Sequence, residues 1–294
     1  MTKGLNNVNF GQVITAMVTP FDHNNRVDFS KTTKLIEHLI NTGTDCLVVA
    51  GTTGESPTLS FDEKVSLFEH TVKVVAGRIP VIAGTGSNNT FTSIELTKKA
   101  ESVGVDGVML VAPYYNKPSQ KGMYEHFKTI ANATTLPVML YNIPSRSVVN
   151  MTSELVVELS KIDNIVAIKE ASGNLDQVTA IISETPDDFL VYSGDDSLTL
   201  PLLAVGGNGV VSVASHVVGK EFKQMITAFN SGHLKEAAKL HQQLLPIVKA
   251  LFKAPNPCPV KAALALKGID VGGVRLPLVP LSEIEREDLA KVLK

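Results

Sequence analysis

Eight short apolar, β-branched runs recur along this chain, and that recurrence limits its fold more than any other feature. They are Val13–Val18, Cys46–Ala50, Pro80–Ala83, Gly107–Ala112, Pro137–Tyr141, Ile165–Lys169, Phe189–Ser193 and Gly209–Val213. Their spacing of roughly 20 to 35 residues matches a strand followed by a helix and two connections. Most lack polar alternation, as strands buried on both faces must. Helix signals fall between them. Ser60-Phe61-Asp62-Glu63 is a capping box, followed by Val65, Phe68, Val72 and Val75 at helical spacing, with Gly77 suited to a left-handed stop. Thr92 to Ser102 and Glu154 to Ser160 read the same way, with Gly104 closing the former. The expected fold is α/β, a (β/α)8 TIM barrel with a C-terminal helical extension. Its competitor is an open doubly wound sheet. That architecture carries a glycine-rich fingerprint after its first strand, whereas this chain has Thr19-Pro20-Phe21-Asp22 there.

After the eighth strand and its helix the pattern is helical only. Residues 1–229 are read as the catalytic barrel and 230–294 as the extension. In the extension Asn230–Ala250, Cys258–Lys267 and Ser282–Lys294 are expected helices, the last opened by Ser282-x-x-Glu285. The Pro255–Pro259 segment separates the first two.

Composition excludes several function classes. An apolar fraction of 44% supports a full core and argues against disorder. Lys+Arg is 27 against 29 for Asp+Glu, a net charge of -2 without a basic stripe, so nucleic acid is not an expected partner. Cys46 and Cys258 lie far apart and form no CxxC pair, so neither a disulfide framework nor a zinc site is expected. The seven histidines are scattered without metal-ligand spacing. Met1 to Gly11 is polar and asparagine-rich, unlike a signal peptide, and no apolar run approaches bilayer-spanning length. A cytoplasmic protein with no membrane partner, metal or cofactor is expected.

In such a barrel the active site lies at the C-terminal ends of the strands, so the residues after each run carry the functional reading. Run six ends in Ile168-Lys169-Glu170. A lysine at the tip of a buried strand loses solvation, its pKa falls, and the neutral amine can form a Schiff base with a carbonyl substrate. Alternatively, its stem lies along the strand end while its head reaches water. Run two ends in Gly51-Thr52-Thr53-Gly54-Glu55-Ser56, whose exposed amides and hydroxyls suit a small carboxylate or phosphate, or simply make a βα turn. Three of the five tyrosines, Tyr114, Tyr115 and Tyr141, follow runs four and five. A phenol there can relay a proton or can merely pack. Arg146 offers a fork suited to a carboxylate, or a surface ion pair. Run seven ends in Ser193-Gly194-Asp195-Asp196. An amine, an anion-binding turn, tyrosines and an arginine on one rim suit imine chemistry without a metal.

The segments Gly51-Thr52-Thr53-Gly54-Glu55, Tyr114-Tyr115-Asn116-Lys117-Pro118, Tyr141-Asn142-Ile143-Pro144-Ser145-Arg146 and Ile168-Lys169-Glu170-Ala171 resemble those of the 4-hydroxy-tetrahydrodipicolinate (dihydrodipicolinate) synthase family, pyruvate-dependent class I aldolases of the N-acetylneuraminate lyase superfamily. The resemblance runs in matching order from about residue 10 into the C-terminal helices. It implies a lyase of lysine and diaminopimelate biosynthesis. Lys169 would form a Schiff base with pyruvate, and the derived enamine would attack aspartate 4-semialdehyde to give 4-hydroxy-tetrahydrodipicolinate. Thr52 and Thr53 would hold the pyruvate carboxylate. Tyr141, Thr53 and Tyr115 would relay protons, and Arg146 would hold the carboxylate of the incoming aldehyde. Gly194 and Val211 would line the pyruvate pocket. The family's Tyr115 equivalent reaches a neighbouring subunit, so self-association as a homodimer or homotetramer is implied.

Departures from the family pattern matter. Ser147-Val148 follow Arg146 where Thr-Gly is usual. At the site where lysine-sensitive members bind lysine, Phe61 and Lys64 replace histidines and Thr92 replaces a glutamate, while Ser56, Asn88 and Tyr114 match. A gained cation and a lost acid disfavour a cationic inhibitor, so weak or absent lysine inhibition is expected. Rival readings are a sibling aldolase (N-acetylneuraminate lyase or a 2-keto-3-deoxy sugar acid aldolase), which typically lacks the arginine, and a noncatalytic carboxylate sensor, which would show a damaged residue set. A pyridoxal phosphate enzyme is a third. It needs a phosphate site after strands seven and eight, whereas Gly206-Gly207-Asn208-Gly209 precedes strand eight.

Overall fold

All eight expected strands pair in sequence order into a closed parallel barrel. A computed structural model describes residues 9–293. The strands are β1 Val13–Ala16, β2 Cys46–Val49, β3 Val81–Gly84, β4 Gly107–Val111, β5 Val138–Asn142, β6 Ile165–Glu170, β7 Leu190–Ser193 and β8 Gly209–Ser212. Closure is made by β1 on β8, with Thr15 opposite Ser212. The expected runs therefore match these strands to within two residues at each end. Val18, Ala50, Ala112 and Val213 run past the strand ends, whereas Gly84, Asn142 and Glu170 extend the strands beyond the runs.

Helices α1 Phe29–Asn41, α2 Phe61–Val75, α3 Thr90–Ser102, α4 Gln120–Ala131, α5 Pro144–Ser147, α6 Ser153–Leu159, α7 Leu175–Glu184, α8 Thr199–Ala204 and α9 Ser215–Asn230 lie in the connections. The Ser60/Glu63 capping box forms as expected. At the other end of α2 the left-handed cap is Ala76 at φ 50, and Gly77 continues in the same region at φ 74. The C-terminal helices are α10 Leu234–Leu251, α11 Cys258–Leu266 and α12 Glu283–Val292, and the Ser282/Glu285 capping box is present. The helix expected from Asn230 begins at Leu234 instead. Gly232 at φ 79 turns the chain between α9 and α10, a conformation an L side chain rarely adopts. The polar N-terminal stretch before Asn9, and Lys294 at the end of the last expected helix, lie outside the described residues.

Strand alternation divides the buried apolar side chains into two cores. Ile14, Ala16, Cys46, Val48, Ile82, Met109, Met139, Tyr141, Ala167, Tyr192 and Val211 fill the barrel interior. A larger cluster lies between the strands and the helical ring, and it runs without a break into Leu244, Val248 and Leu251 of α10, Val260 and Leu264 of α11, and Leu289 of α12. The C-terminal helices thus share the barrel's outer core. Their connecting segments reach the catalytic rim, as described next.

Candidate active site

Lys169 is the fifth residue of β6, in register with Tyr141 on β5 and Tyr192 on β7. It lies two positions beyond inward-facing Ala167, and a period of two therefore turns its side chain into the barrel mouth. Only 4% of it is exposed. Its Nζ sits 4.3 Å from the centroid of the Tyr141 ring and makes no ion pair among the described residues. Burial pulls the amine down to about 8; the negative charge of Asp196 opposes this and the nearby Arg146 reinforces it. A neutral nucleophile is therefore accessible close to neutral pH.

Gly194 makes room for this side chain. A Cβ there would lie 2.7 Å from the Ala171 Cβ and 3.1 Å from both Cγ and Cε of Lys169. Val211, on β8, belongs to the interior cluster with Tyr141 and Ala167. Asp196 is buried below, accepting from the Ser212 hydroxyl and from the amides of Val213 and Ala214 at 3.1 and 3.3 Å. It is the acid nearest in effect to the amine. The Ser-Gly-Asp-Asp sequence places it at a strand end, but nothing local separates Asp196 from Asp195, which instead caps Ser197.

The turn after β2 is backbone-limited. Ala50 and Glu55 both adopt positive φ, 52 and 56, at either end of Gly51–Gly54. A Cβ on Gly54 would come within 3.1 Å of the Ala50 Cα and the Met17 carbonyl oxygen, a tight fit that a side chain could enter only if the backbone gave by a few tenths of an ångström. The Thr19 hydroxyl donates to the Gly54 carbonyl at 2.7 Å.

The two threonines of this turn play different parts. The Thr52 side chain interacts with the phenol of Tyr141, lowering its pKa, as does the Arg146 charge; burial outweighs both and pushes the phenol up to about 12. Thr53 is 2% exposed, and its Oγ1 accepts a 3.0 Å hydrogen bond from Nδ2 of Asn256. Thr52 thus acts on the Tyr141 phenol, while Thr53 is held by Asn256. Adjacent residues of a tight turn point in different directions, and sequence order alone does not say which faces the strand-five tyrosine.

Arg146 sits on α5, a single turn begun by Pro144, and is exposed at the rim. Ser147, which replaces the usual threonine, has its hydroxyl within hydrogen-bond reach of the carbonyls of Ile143 at 2.9 Å and Val149 at 2.8 Å, and its single hydrogen donates to one or is shared between them, tying the turn together. Val148, where glycine is usual, stands at φ 67. A β-branched residue there is strained by about 1–3 kcal/mol. Glu170 faces outward beside Lys169 and accepts from Asn142 at 3.0 Å and Gln177 at 3.2 Å. Asn142 also donates to Asn150 at 2.7 Å, which links the lysine strand to the far end of the loop bearing Arg146.

A cavity of about 210 Å³ opens on this rim, lined among others by Gly51, Thr52, Tyr114, Tyr141, Arg146 and Ser147. A concave site with a few convergent polar groups of this kind suits a small-molecule ligand. Among the described residues no group of three or more His, Cys, Asp and Glu side chains could hold a metal ion.

Tyr115 does not join the others. It is 89% exposed, at φ 72, with Lys117 also at positive φ. Tyr114, Phe91 and Val148 are exposed apolar side chains as well. Of the residues matching the lysine site, Ser56 and Tyr114 line the cavity, and Asn88 donates to the Tyr114 carbonyl at 3.1 Å. Burial lowers the pKa of Lys64 on α2, while Thr92 is exposed on α3.

Comparison with known proteins places this geometry. Residues 9–294 match the model of the dihydrodipicolinate synthetase family. The 4-hydroxy-tetrahydrodipicolinate synthase of Bacillus velezensis is 65% identical, over 97% of this chain and 99% of its own. That of Bacillus subtilis is 64% identical, over 97% and 99%. A crystal structure of dihydrodipicolinate synthase from Bacillus anthracis superposes with a TM-score of 0.96 at 62% identity, covering 97% of this chain and 98% of that one. The enzyme from Cyanidioschyzon merolae with lysine bound gives 0.95 at 50% identity, covering 97% of each.

Proposed function

This chain belongs to the dihydrodipicolinate synthetase family, and on that premise we propose that Lys169 is the amine through which it condenses pyruvate with aspartate 4-semialdehyde. The product, 4-hydroxy-tetrahydrodipicolinate, leads toward diaminopimelate and lysine. The sibling-aldolase alternative gives way to this reading, since relatives matching nearly the whole chain carry the synthase name.

Neutral Lys169 attacks the pyruvate carbonyl, water leaves, and the imine becomes an electron sink for the methyl protons. The resulting enamine attacks the aldehyde carbon; cyclisation by the substrate's own amine then frees the lysine. Tyr141, kept protonated by burial, carries protons to and from the reacting atoms in concert with Thr52. Thr53 and the amides of its turn hold the pyruvate carboxylate. Arg146 holds the carboxylate of the aldehyde substrate, which removes orientational freedom from a bimolecular step. Gly194 and Val211 shape the pocket around the imine.

Tyr115 completes the relay of a second copy. The exposed phenol, held at positive φ beside Tyr114, Phe91 and Val148, supports a self-associating face and therefore a homodimer or a homotetramer. The described residues include no helix long and apolar enough to cross a membrane, and the cytoplasm is the proposed location.

The buried, unpaired amine of Lys169 carries this reading. Borohydride reduction in the presence of pyruvate, followed by peptide mass mapping, tests it: the label is expected on Lys169. A label on another lysine, Lys261 in particular, overturns it.

A further inference from the structure

Asn256 lies between α10 and α11, 203 residues from Thr53 in sequence, yet its Nδ2 donates to the Thr53 hydroxyl oxygen at 3.0 Å. It is 9% exposed, and its Oδ1 has no hydrogen-bond partner among the described residues. The same C-terminal stretch fixes the far end of the turn. Glu55 Oε1 lies 2.6 Å from Nζ of Lys261, and Glu55 Oε2 accepts from the Arg275 amide at 2.9 Å. The turn just after Thr53 and the Thr53 side chain are thus both held by the C-terminal stretch, and the direction of the hydroxyl hydrogen is the freedom that remains.

A hydroxyl has one hydrogen and two acceptor sites. With an amide N–H directed at its oxygen, the Thr53 O–H points away from Asn256. Were the amide oxygen in that place, it would take the hydrogen for itself. We propose that Asn256 is a positioning residue that commits the Thr53 hydroxyl to donate to the carboxylate of the bound keto acid. This rests on the reading that Thr53 holds the pyruvate carboxylate. The C-terminal segment then sets the polarity of the anion site as well as packing against the barrel, and it acts on the affinity for the keto acid rather than on the chemical steps.

Steady-state kinetics of Asn256→Asp and Asn256→Ala test the proposal. Aspartate accepts the Thr53 hydrogen instead of donating, and alanine removes the donor without adding charge. Both are expected to raise KM for pyruvate by about tenfold or more, with kcat and KM for aspartate 4-semialdehyde changed less than about threefold. In a Thr53→Val background Asn256→Asp is expected to add nothing further, because the group it acts through is gone. Thr53→Ser, which keeps the hydroxyl, is expected to retain the response. An unchanged KM for pyruvate in both single variants, or full additivity with Thr53→Val, overturns the proposal. A purely structural role would lower the melting temperature and the active fraction while leaving that KM in place. If borohydride and pyruvate still label Lys169 but KM does not move, only this inference fails; if Lys169 is not labelled in the unmodified enzyme, the mechanistic reading beneath it fails too.

Discussion

Two lysines in this fold are buried to nearly the same degree and do opposite work. Lys169 is 4% exposed and Lys261 is 3% exposed. Burial pulls both amines down to about 8. Their partners differ. Lys261 lies 2.6 Å from Glu55, donates to the Gly273 carbonyl at 2.7 Å and rests 4.2 Å from the centre of the Phe21 ring. Lys169 has the face of Tyr141 and, among the described residues, no ion-pair partner. A depressed pKa therefore marks desolvation in both, and on the proposed mechanism reactivity in only one. What separates a nucleophile from a structural cation is whether its hydrogens and its charge are already matched by the protein.

Exchanging each lysine for methionine tests that contrast most strongly. Lys169→Met is expected to lower kcat/KM by more than about a thousandfold while leaving the melting temperature unchanged or raised, since an unpaired buried amine is replaced by an apolar chain of similar length. Lys261→Met strands the Glu55 carboxylate in the interior and is expected to cost about 3–5 kcal/mol of stability by denaturant titration. Adding Glu55→Gln should recover most of that loss. Equal effects of the two single variants on activity and on stability would dissolve the distinction.

The pH dependence of activity reports Lys169 alone. Its folded pKa lies near 8, so the ammonium form dominates below that value and cannot attack a carbonyl. We expect kcat/KM for pyruvate to fall by about tenfold per pH unit below 8 and to level off above it. Stability carries both lysines. Their folded pKa values lie below the ordinary lysine value of 10.5, so between about pH 8 and 10.5 each amine binds protons more readily in the unfolded chain and contributes a rise of stability with pH, which the buried thiols of Cys46 and Cys258, with raised pKa values, oppose above about pH 9. Lys169→Met should flatten part of that rise. A flat stability profile in the unmodified protein contradicts the burial of both amines.

Gly194→Ala sharpens the comparison from the packing side. The added methyl meets Lys169 carbons at 3.1 Å and the Ala171 Cβ at 2.7 Å. A loss of about 1–3 kcal/mol in stability is expected, with roughly a tenfold fall in kcat as the amine is displaced. The smallest effect concerns Lys64, a third lysine whose pKa burial lowers. Its place at a position matching the family's lysine site predicts less than about a twofold change in rate at roughly millimolar L-lysine. Half-inhibition well below millimolar would show that Lys64 does not repel the ligand.

Much of this was legible because it is local. The eight apolar runs became eight barrel strands, and two capping boxes formed where serine and glutamate stand three apart. Lys169 was identifiable from its position at the end of a buried run. Less legible were features fixed by direction rather than order. The Thr52–Thr53 pair looks equivalent as a string, yet Tyr141 engages Thr52 and Asn256 engages Thr53. Asn256 stands in a proline-marked break, which signals only that a helix stops. Asp196 was one of two adjacent acids with nothing in the string to rank them.

By itself the sequence determined the period of the chain, hence the barrel, and the set of side chains that could reach its rim. Those depend on interactions within a few residues, or on a repeat that only one closed architecture satisfies. The tertiary structure decided which groups meet: Glu55 with Lys261 and Arg275, Asn256 with Thr53, and the Lys169 amine with the Tyr141 ring rather than, among the described residues, an ion-pair partner. Contacts between residues about 200 positions apart leave no periodic trace in sequence. They exist because the C-terminal helices share the outer core of the barrel, and that docking sets where their connecting segments fall.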